Sequence, residues 1–192
     1  GFDTKRFKPN PEARTAFRQK HQLPEEAFVI GNLARFHPMK DQANLVKALK
    51  LLDFPAYAVI AGRGVDSMEA KSDRVRLLGA QSAVENVYPA FDVFCLSSRA
   101  AEGFPNVVGE AMSCGVPCVV TDIGDAGRVV GETGGVVEPE NPQKLAKGLT
   151  KMRERLKNEA ESLQRACRTR VEDEFSLAKI VRQYEDLYSS QE

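Results

Sequence analysis

The sequence predicts an α/β fold: a Rossmann-like, doubly wound parallel sheet of about six strands with helices on both faces. Two observations carry this. Short runs of apolar, β-forming residues alternate along the chain with segments whose apolar residues recur at helical spacing. The short runs are also largely apolar rather than alternating, as expected of strands covered on both sides in a parallel sheet.

The elements follow in order. Phe28 to Leu33 reads as the first strand. Leu45, Val46, Leu49 and Leu52 then mark an amphipathic helix. Tyr57 to Ala61 is the second strand, running into the turn residues Gly62 and Gly64. Val75 to Leu78 is the third, a helix is expected near Ala83–Ala90, and Val93 to Leu96 is the fourth strand. A helix over Asn106–Cys114 leads to a fifth strand at Cys118–Thr121, and a short sixth at Val136–Val137 follows the Gly134-Gly135 turn. From Pro142 onward the chain reads as helix. Leu145, Leu149, Met152 and Leu156 make one apolar stripe there; Leu177, Ile180, Val181, Tyr184, Leu187 and Tyr188 make another. Ligands of such sheets bind beyond the carboxyl ends of the strands, so the loops after the strands are where function is sought.

Composition narrows the class. The 192 residues suit one domain, with no internal repeat and no low-complexity linker. Lys and Arg total 27 and so do Asp and Glu, so no global charge draws the chain to nucleic acid. No apolar run approaches the roughly 20 residues that span a bilayer, and no signal-peptide pattern opens the chain. Cys95, Cys114, Cys118 and Cys167 show no zinc-like pairing with the two histidines, and are expected to be free core thiols in a reducing cytoplasm.

One segment carries chemistry: Glu102-Gly103-Phe104-Pro105-Asn106-Val107-Val108-Gly109-Glu110. With Asn106 as N-cap, Val107, Val108, Ala111 and Cys114 form a stripe facing the core. The helix start points free amides and a positive dipole end at whatever lies before it, which suits a diphosphate. Helical side chains lean towards the preceding turn, so Glu110 is expected to overhang the Gly103–Asn106 loop. An ionised Glu only accepts hydrogen bonds, so Glu102 and Glu110 suit the hydroxyls of a sugar or a ribose. A nucleotide-sugar site is the reading that uses every part. The bland alternative is that Glu110 complements the helix dipole and Glu102 is a solvated loop charge.

The segment from Glu102 through Met112, with Ser113-Cys114-Gly115-Val116-Pro117-Cys118-Val119-Val120-Thr121-Asp122, resembles the donor-site signature of retaining glycosyltransferases of the GT-B fold, family GT4. Gly31-Asn32-Leu33-Ala34-Arg35-Phe36-His37-Pro38-Met39-Lys40 resembles that family's first donor-domain strand and loop. Ala61-Gly62-Arg63-Gly64 resembles its glycine turn, and Val75-Arg76-Leu77-Leu78-Gly79 the strand beside the nucleoside. The resemblance implies a donor-binding domain over residues 1–192, with C-terminal helices from about 142. The acceptor-binding N-terminal domain of the family would lie outside this chain.

By the same resemblance, Arg35 and Lys40 would neutralise the diphosphate, together with the backbone around Gly103, Phe104, Pro105, Asn106 and Val107. Glu102 would lie against the donor sugar, Glu110 would bind the ribose hydroxyls, and Leu78 and Gly79 would border the base. His37 receives no catalytic role. The implied reaction moves a sugar from a UDP- or GDP-sugar to a hydroxyl with retention, in polysaccharide, lipopolysaccharide or glycolipid synthesis. No cofactor or metal is expected, and there is no Asp-x-Asp triplet. The implied location is cytoplasmic, with any attachment to the inner face of the membrane made through the N-terminal domain. Two departures stand out: Asp41 where the family usually has Gly, and Gly109 where a larger apolar residue is common. A non-catalytic nucleotide-binding module and a GT-B nucleotide-sugar epimerase are the alternatives. A dinucleotide dehydrogenase is disfavoured, since no G-x-G-x-x-G follows the first strand.

Overall fold

The computed structural model describes residues 1–70 and 72–189. Among these, six parallel strands form one sheet: β1 (Phe28–Leu33), β2 (Ala56–Ala61), β3 (Val75–Leu78), β4 (Val93–Leu96), β5 (Cys118–Thr121) and β6 (Gly135–Val137). Their order is β3-β2-β1-β4-β5-β6, the doubly wound arrangement that the apolar runs predict. β1 is in register with β2 from Phe28 opposite Ala56 to Leu33 opposite Ala61, and meets β4 at Ile30–Val93 and Gly31–Phe94. Val29, Ile30, Val59, Ile60, Phe94, Leu96, Val119 and Val120 are buried although neighbours along a strand point to opposite faces, so helices cover both sides.

The helices are α1 (Pro11–Lys20), α2 (Gln42–Lys50), α3 (Asn106–Ser113), α4 (Ala126–Val130), α5 (Pro142–Glu174) and α6 (Leu177–Ser189). Asn141 caps α5, its side chain accepting from the Lys144 amide, and Pro142 takes the first turn, where a missing amide costs nothing. α5 breaks at Glu159, whose φ of −143° is non-helical. Before the break Leu145, Leu149 and Met152 are buried, and the Arg153 guanidinium lies 4.2 Å from the Phe54 ring centroid beyond α2. After it Leu163, Cys167 and Val171 are buried, and Arg168 Nη1 donates to the Ser113 carbonyl of α3 at 2.6 Å. One helix thus ties both halves of the sheet.

One sequence expectation changes, and one helix appears that the sequence reading did not name. The helix expected near Ala83–Ala90 is instead two 3₁₀ turns, Val84–Asn86 and Tyr88–Ala90. Pro89 has no amide to continue a helical ladder. Residues 11–20, which carry no strong apolar stripe, are helical because Asn10 accepts from the Ala13 amide at 3.0 Å and Pro11 starts the first turn. On α6 the stripe residues Leu177, Val181, Tyr184 and Tyr188 are exposed, Tyr184 by 58% and Tyr188 by 69%, while Ile180 is half-buried.

α1 is held at the amino ends of β1 and β4 by a buried cation. Arg18 donates to the carbonyls of Ala90 (3.0 Å), Glu25 (2.6 Å) and Ala27 (3.1 Å) and pairs with Asp92 at 2.8 Å. Asp92 also takes Arg14 at 2.7 Å and the Val29 amide at 2.7 Å. With its partners supplied, the buried charge is stable there; removing one alone would be costly. This network sits at the end of the sheet opposite the loops that follow the strands.

Candidate functional site

The strand order reverses between β1 and β4, so the connections leaving their carboxyl ends diverge and open a crevice. β1 feeds residues 34–41 into that crevice, and β4 feeds residues 97–105. The two loops are stitched together. The Arg99 amide donates to the Met39 carbonyl at 2.9 Å, and Ser97 Oγ to the Lys40 carbonyl at 2.9 Å. At the join, Lys40 Nζ meets Glu102 Oε1 at 2.5 Å, and Ser98 Oγ donates to the same oxygen at 2.5 Å. The Glu102 side chain is only 9% exposed, so this is a largely desolvated ion pair, with a second donor sharing the charge.

Two glycines make the close approach possible. Gly124, at φ +57°, lies under the Glu102 backbone: a Cβ there would fall 1.9 Å from the Glu102 carbonyl oxygen. The adjacent Asp125 amide donates to the Gly103 carbonyl at 3.0 Å. Gly62, at φ +150°, stands against the β1 loop, where a Cβ would fall 2.0 Å from the Ala34 carbonyl oxygen. Its own amide donates to Leu78 at 3.1 Å, and the Phe36 amide donates to Arg63 at 2.8 Å. These bonds join the β1, β2 and β3 loops in one row. A cleft of about 380 Å³ follows that row, lined by Ala34, Arg35, Gly62, Arg63 and Gln81 among others. Gln81 Nε2 donates to the Gly79 carbonyl at 2.9 Å. A larger cleft of about 610 Å³, lined by Pro9, Arg14, Cys114 and Arg168, lies away from these loops and holds none of the predicted site residues.

α3 begins at Asn106, with Pro105 at the cap position and no side-chain cap. This corrects the sequence expectation by one residue. Asn106 is inside the first turn, because Pro105, extended at φ −76° and ψ 100°, takes the flanking place. The Asn106 and Val107 amides are therefore left to a ligand or to solvent, while the Val108 amide donates to the Pro105 carbonyl at 3.1 Å. Val108, Ala111 and Met112 are buried, which aims the helix, and Glu110 is half-buried on its flank. Glu110 makes no bond to the Gly103–Asn106 loop: its Oε2 accepts from the Tyr88 hydroxyl at 2.6 Å.

The structure thus brings Lys40 and Glu102 into contact and sets Gly103, Phe104, Pro105, Asn106 and Val107 at the start of α3 beside them. Leu78 and Gly79 meet the site at the other end, through Gly62. Arg35 is exposed, and its guanidinium has no partner among the described residues; it makes no contact with Lys40. His37 Nδ1 accepts from the Met39 amide at 3.2 Å and so caps the turn that presents Lys40, a structural task. Ser97, Ser98 and Tyr88 escaped the sequence reading. The serines follow a strand end, a position that invites inspection, whereas the burial of Tyr88 against Glu110 has no local signal.

Asp41, one of the two departures, has φ 43° and ψ 46°, the left-handed region that Gly enters most easily and that Asp tolerates better than most residues. Burial pushes its carboxyl above the usual range, against the Asn44 amide and Arg99, which pull it down. Among the described residues no group of three His, Cys, Asp or Glu side chains could hold a metal ion, and no helix is long and apolar enough to cross a membrane.

A family model for glycosyl transferases group 1 matches residues 27–155. The chain is 31% identical over 133 residues to a Bacillus subtilis protein named as the glycosyltransferase EpsF, covering 64% of this chain and 34% of that protein. It is 31% identical over 171 residues to the GDP-mannose-dependent monoacylated alpha-(1-6)-phosphatidylinositol monomannoside mannosyltransferase of Corynebacterium glutamicum, covering 79% and 45%. The structure of HepE from Anabaena in complex with UDP-glucose superposes with a TM-score of 0.86 at 25% identity, over 99% of this chain and 56% of that one. The chain therefore spans about half, or less, of the length of these relatives.

Proposed function

The chain belongs to the group 1 glycosyl transferases, and from that premise we propose that it is the donor-binding half of an enzyme that moves a sugar from a UDP- or GDP-sugar to a hydroxyl acceptor with retention. HepE is solved with UDP-glucose, and the Corynebacterium relative is named as GDP-mannose-dependent. The products would be polysaccharide, lipopolysaccharide or glycolipid. The observation that carries the reading is the Lys40–Glu102 pair beside the uncapped start of α3, at the reversal of the sheet.

In this reading the bond from C1 of the sugar to the diphosphate breaks, a bond from the acceptor oxygen to C1 forms, and nucleoside diphosphate and a proton are released. Negative charge grows on the departing diphosphate, and donors aimed at growing charge give the largest catalytic gain in many enzymes. Arg35 offers a planar fork of donors to that charge, the α3 amides a row of neutral ones, and Lys40 a mobile ammonium. Without donor, Lys40 is tied to Glu102. A diphosphate would share that ammonium and leave Glu102 able to accept from a sugar hydroxyl. Glu110 accepts from the ribose, and the Leu78–Gly79 edge borders the base. The charge is met by side chains and amides, so the proposal needs no divalent metal.

The exposed α6 residues Leu177, Val181, Tyr184 and Tyr188 share one helical face. We assign that face to packing against the remainder of the longer polypeptide, whose other half would hold the acceptor and make any membrane contact on the cytoplasmic side. The direct test is calorimetry of UDP, GDP and the parent nucleosides with the chain and with Arg35→Ala. The substitution should weaken nucleoside diphosphate at least tenfold, since a charge-assisted bond contributes about 1.5–3 kcal/mol, while nucleoside binding holds. Equal loss for both ligand types would remove Arg35 from the phosphate site.

A further inference from the structure

Glu110 is held from behind by a residue that no donor could touch. Tyr88 is fully buried, in the short turn Tyr88–Ala90 that leads into β4. Its ring sits edge-on to Phe7 (6.0 Å between centroids, 71°), Phe91 (6.4 Å, 84°) and Phe94 (5.8 Å, 61°). Aromatic packing on three sides leaves the ring one orientation, and that orientation puts its hydroxyl 2.6 Å from Glu110 Oε2. Glu110 in turn projects from α3, whose own direction is set by the buried Val108, Ala111 and Met112.

From this geometry, and resting on the reading of Glu110 as the ribose acceptor, we infer that Tyr88 is the positioning residue for that carboxylate: it occupies Oε2 and orients Oε1 towards the diol. A carboxylate has acceptor capacity on both oxygens and no donor. Half-buried on its helix flank and without a fixed donor, it would sample several rotamers, and that freedom would have to be lost on binding. A fixed donor on one oxygen removes that freedom beforehand. The direction of the bond is also secure. Burial, with Glu110 beside it, pushes the phenol well above its ordinary range, so the hydroxyl keeps its proton and donates at any physiological pH. The competing account is that Glu110 merely satisfies a buried hydroxyl. The two accounts differ in what happens to the ligand: only positioning makes Tyr88 matter to the 2′ and 3′ hydroxyls and to nothing else on the nucleotide.

Calorimetry with UDP and GDP and their 2′,3′-dideoxy counterparts separates them, using the chain, Tyr88→Phe, Glu110→Gln and the double variant. Tyr88→Phe keeps the ring and its packing, and Glu110 remains half-buried with access to water, so the fold should survive; thermal unfolding checks this. The expected result is a fivefold to tenfold loss for the ribonucleotides in Tyr88→Phe, less than twofold for the dideoxy compounds, and a double variant no weaker than Glu110→Gln alone. A second readout needs no variant beyond assignment. The chain has four tyrosines, and the Tyr88 Cζ resonance should shift on adding UDP but not 2′,3′-dideoxy-UDP. If Glu110→Gln is selective for the diol while Tyr88→Phe weakens both ligand classes alike, or neither, and the resonance is indifferent to the hydroxyls, the positioning role is overturned and the ribose reading stands. If Glu110→Gln itself shows no selectivity, the ribose reading falls and this inference falls with it.

Discussion

The ring of Phe2 fills the place where Gly109 would carry a side chain: a Cβ at Gly109 would lie 2.1 Å from the ring's Cζ. The same ring stacks on Phe104 in the site loop, 5.4 Å between centroids at 15°, and meets Phe175 edge-on at 6.5 Å. The Phe2 amide donates to Phe175 and its carbonyl accepts from Leu177, at 2.8 and 2.9 Å. One residue thus clamps α3 beside Glu110, the Phe104 loop and the α5–α6 junction. The departure at Gly109 is thereby explained, since a larger residue there would evict the ring.

Gly109→Ala is accordingly expected to destabilise, although Ala is the better helix former by about 1 kcal/mol. Overpacking of this kind costs about 1–3 kcal/mol, because the obstacle is a ring held by its own backbone bonds. Phe2→Ala should also destabilise, by cavity formation. The double variant should lose clearly less than the sum, since the added methyl then enters the space the ring has left. Urea unfolding of the four proteins measures this. Strict additivity would mean that the ring is not what Gly109 accommodates.

Much of this architecture is legible in the sequence, and the limits are physical. Phe28–Leu33 is read to the residue because a strand buried on both faces is mostly apolar; its one polar side chain, Asn32, is buried and donates to the Cys95 carbonyl. Lys40 and Glu102 are singled out by the segments that hold them, although their contact spans 62 residues of chain. Contacts such as Tyr88–Glu110 and Phe2–Gly109 leave no local trace, since nothing in the spacing of an aromatic residue names its partner. α1 is absent from the sequence reading, although the Asn10-Pro11 start is a signal that could have found it. The stripe on α6 reads as a packing face, and the structure leaves Leu177, Val181, Tyr184 and Tyr188 of it exposed.

The Lys40–Glu102 pair should matter more as a pair than either charge alone. Lys40→Met leaves a carboxylate that is 9% exposed with Ser98 as its remaining donor. The loss should be about 1–3 kcal/mol, below the roughly 3–5 kcal/mol typical of broken buried pairs because Lys40 is partly exposed. Adding Glu102→Gln removes the stranded charge and should recover part of the thermal stability while leaving nucleoside diphosphate binding impaired. If the second substitution lowers the melting temperature further, the carboxylate was never stranded.

Asp41 gives a prediction with a definite sign. Burial holds its folded pKa above the reference value of 3.8. An acid raised on folding favours the native state only while protonated. Its contribution is therefore greatest below pH 3.8 and is lost as pH rises through the higher folded value. At neutral pH the ionised group is a burden that Asp41→Asn lifts, and Asn tolerates the same left-handed backbone. The variant should be the more stable protein at pH 7, with an advantage that shrinks in acid. An advantage that grew towards pH 3.5 would contradict the burial argument.

The thiols should be inert in the native chain. Burial pushes Cys95 and Cys114 up to about 12 and Cys167 to about 11, and raises Cys118 well above its ordinary value. The thiolate is the reactive form, so alkylation at pH 8 needs an opening of the fold. Ellman's reagent should find almost no fast thiol in the native protein and four in guanidinium. One rapidly labelled cysteine would point to a region that opens far more readily than its packing implies.

The last expectation concerns transfer itself. The proposed acceptor must be held close to C1 of the donor sugar, and positioning of that kind supplies roughly 7–11 kcal/mol of barrier reduction. At 1.36 kcal/mol per tenfold, that is at least about 10⁵ in rate. In the proposed reading Lys40, Glu102 and the α3 terminus would supply one wall of such a site, and the relatives are about twice as long as this chain. The 192-residue chain is therefore predicted to bind nucleoside diphosphate but to transfer no sugar alone. Joined to an acceptor-binding half it should become active, and that activity should persist in EDTA if, as proposed, cationic side chains and amides meet the leaving-group charge. Rapid transfer by the chain alone would show that the acceptor site lies within these residues. Loss of the joined enzyme's activity in EDTA, restored by a divalent ion, would show that Arg35 and Lys40 do not carry the diphosphate's charge unaided.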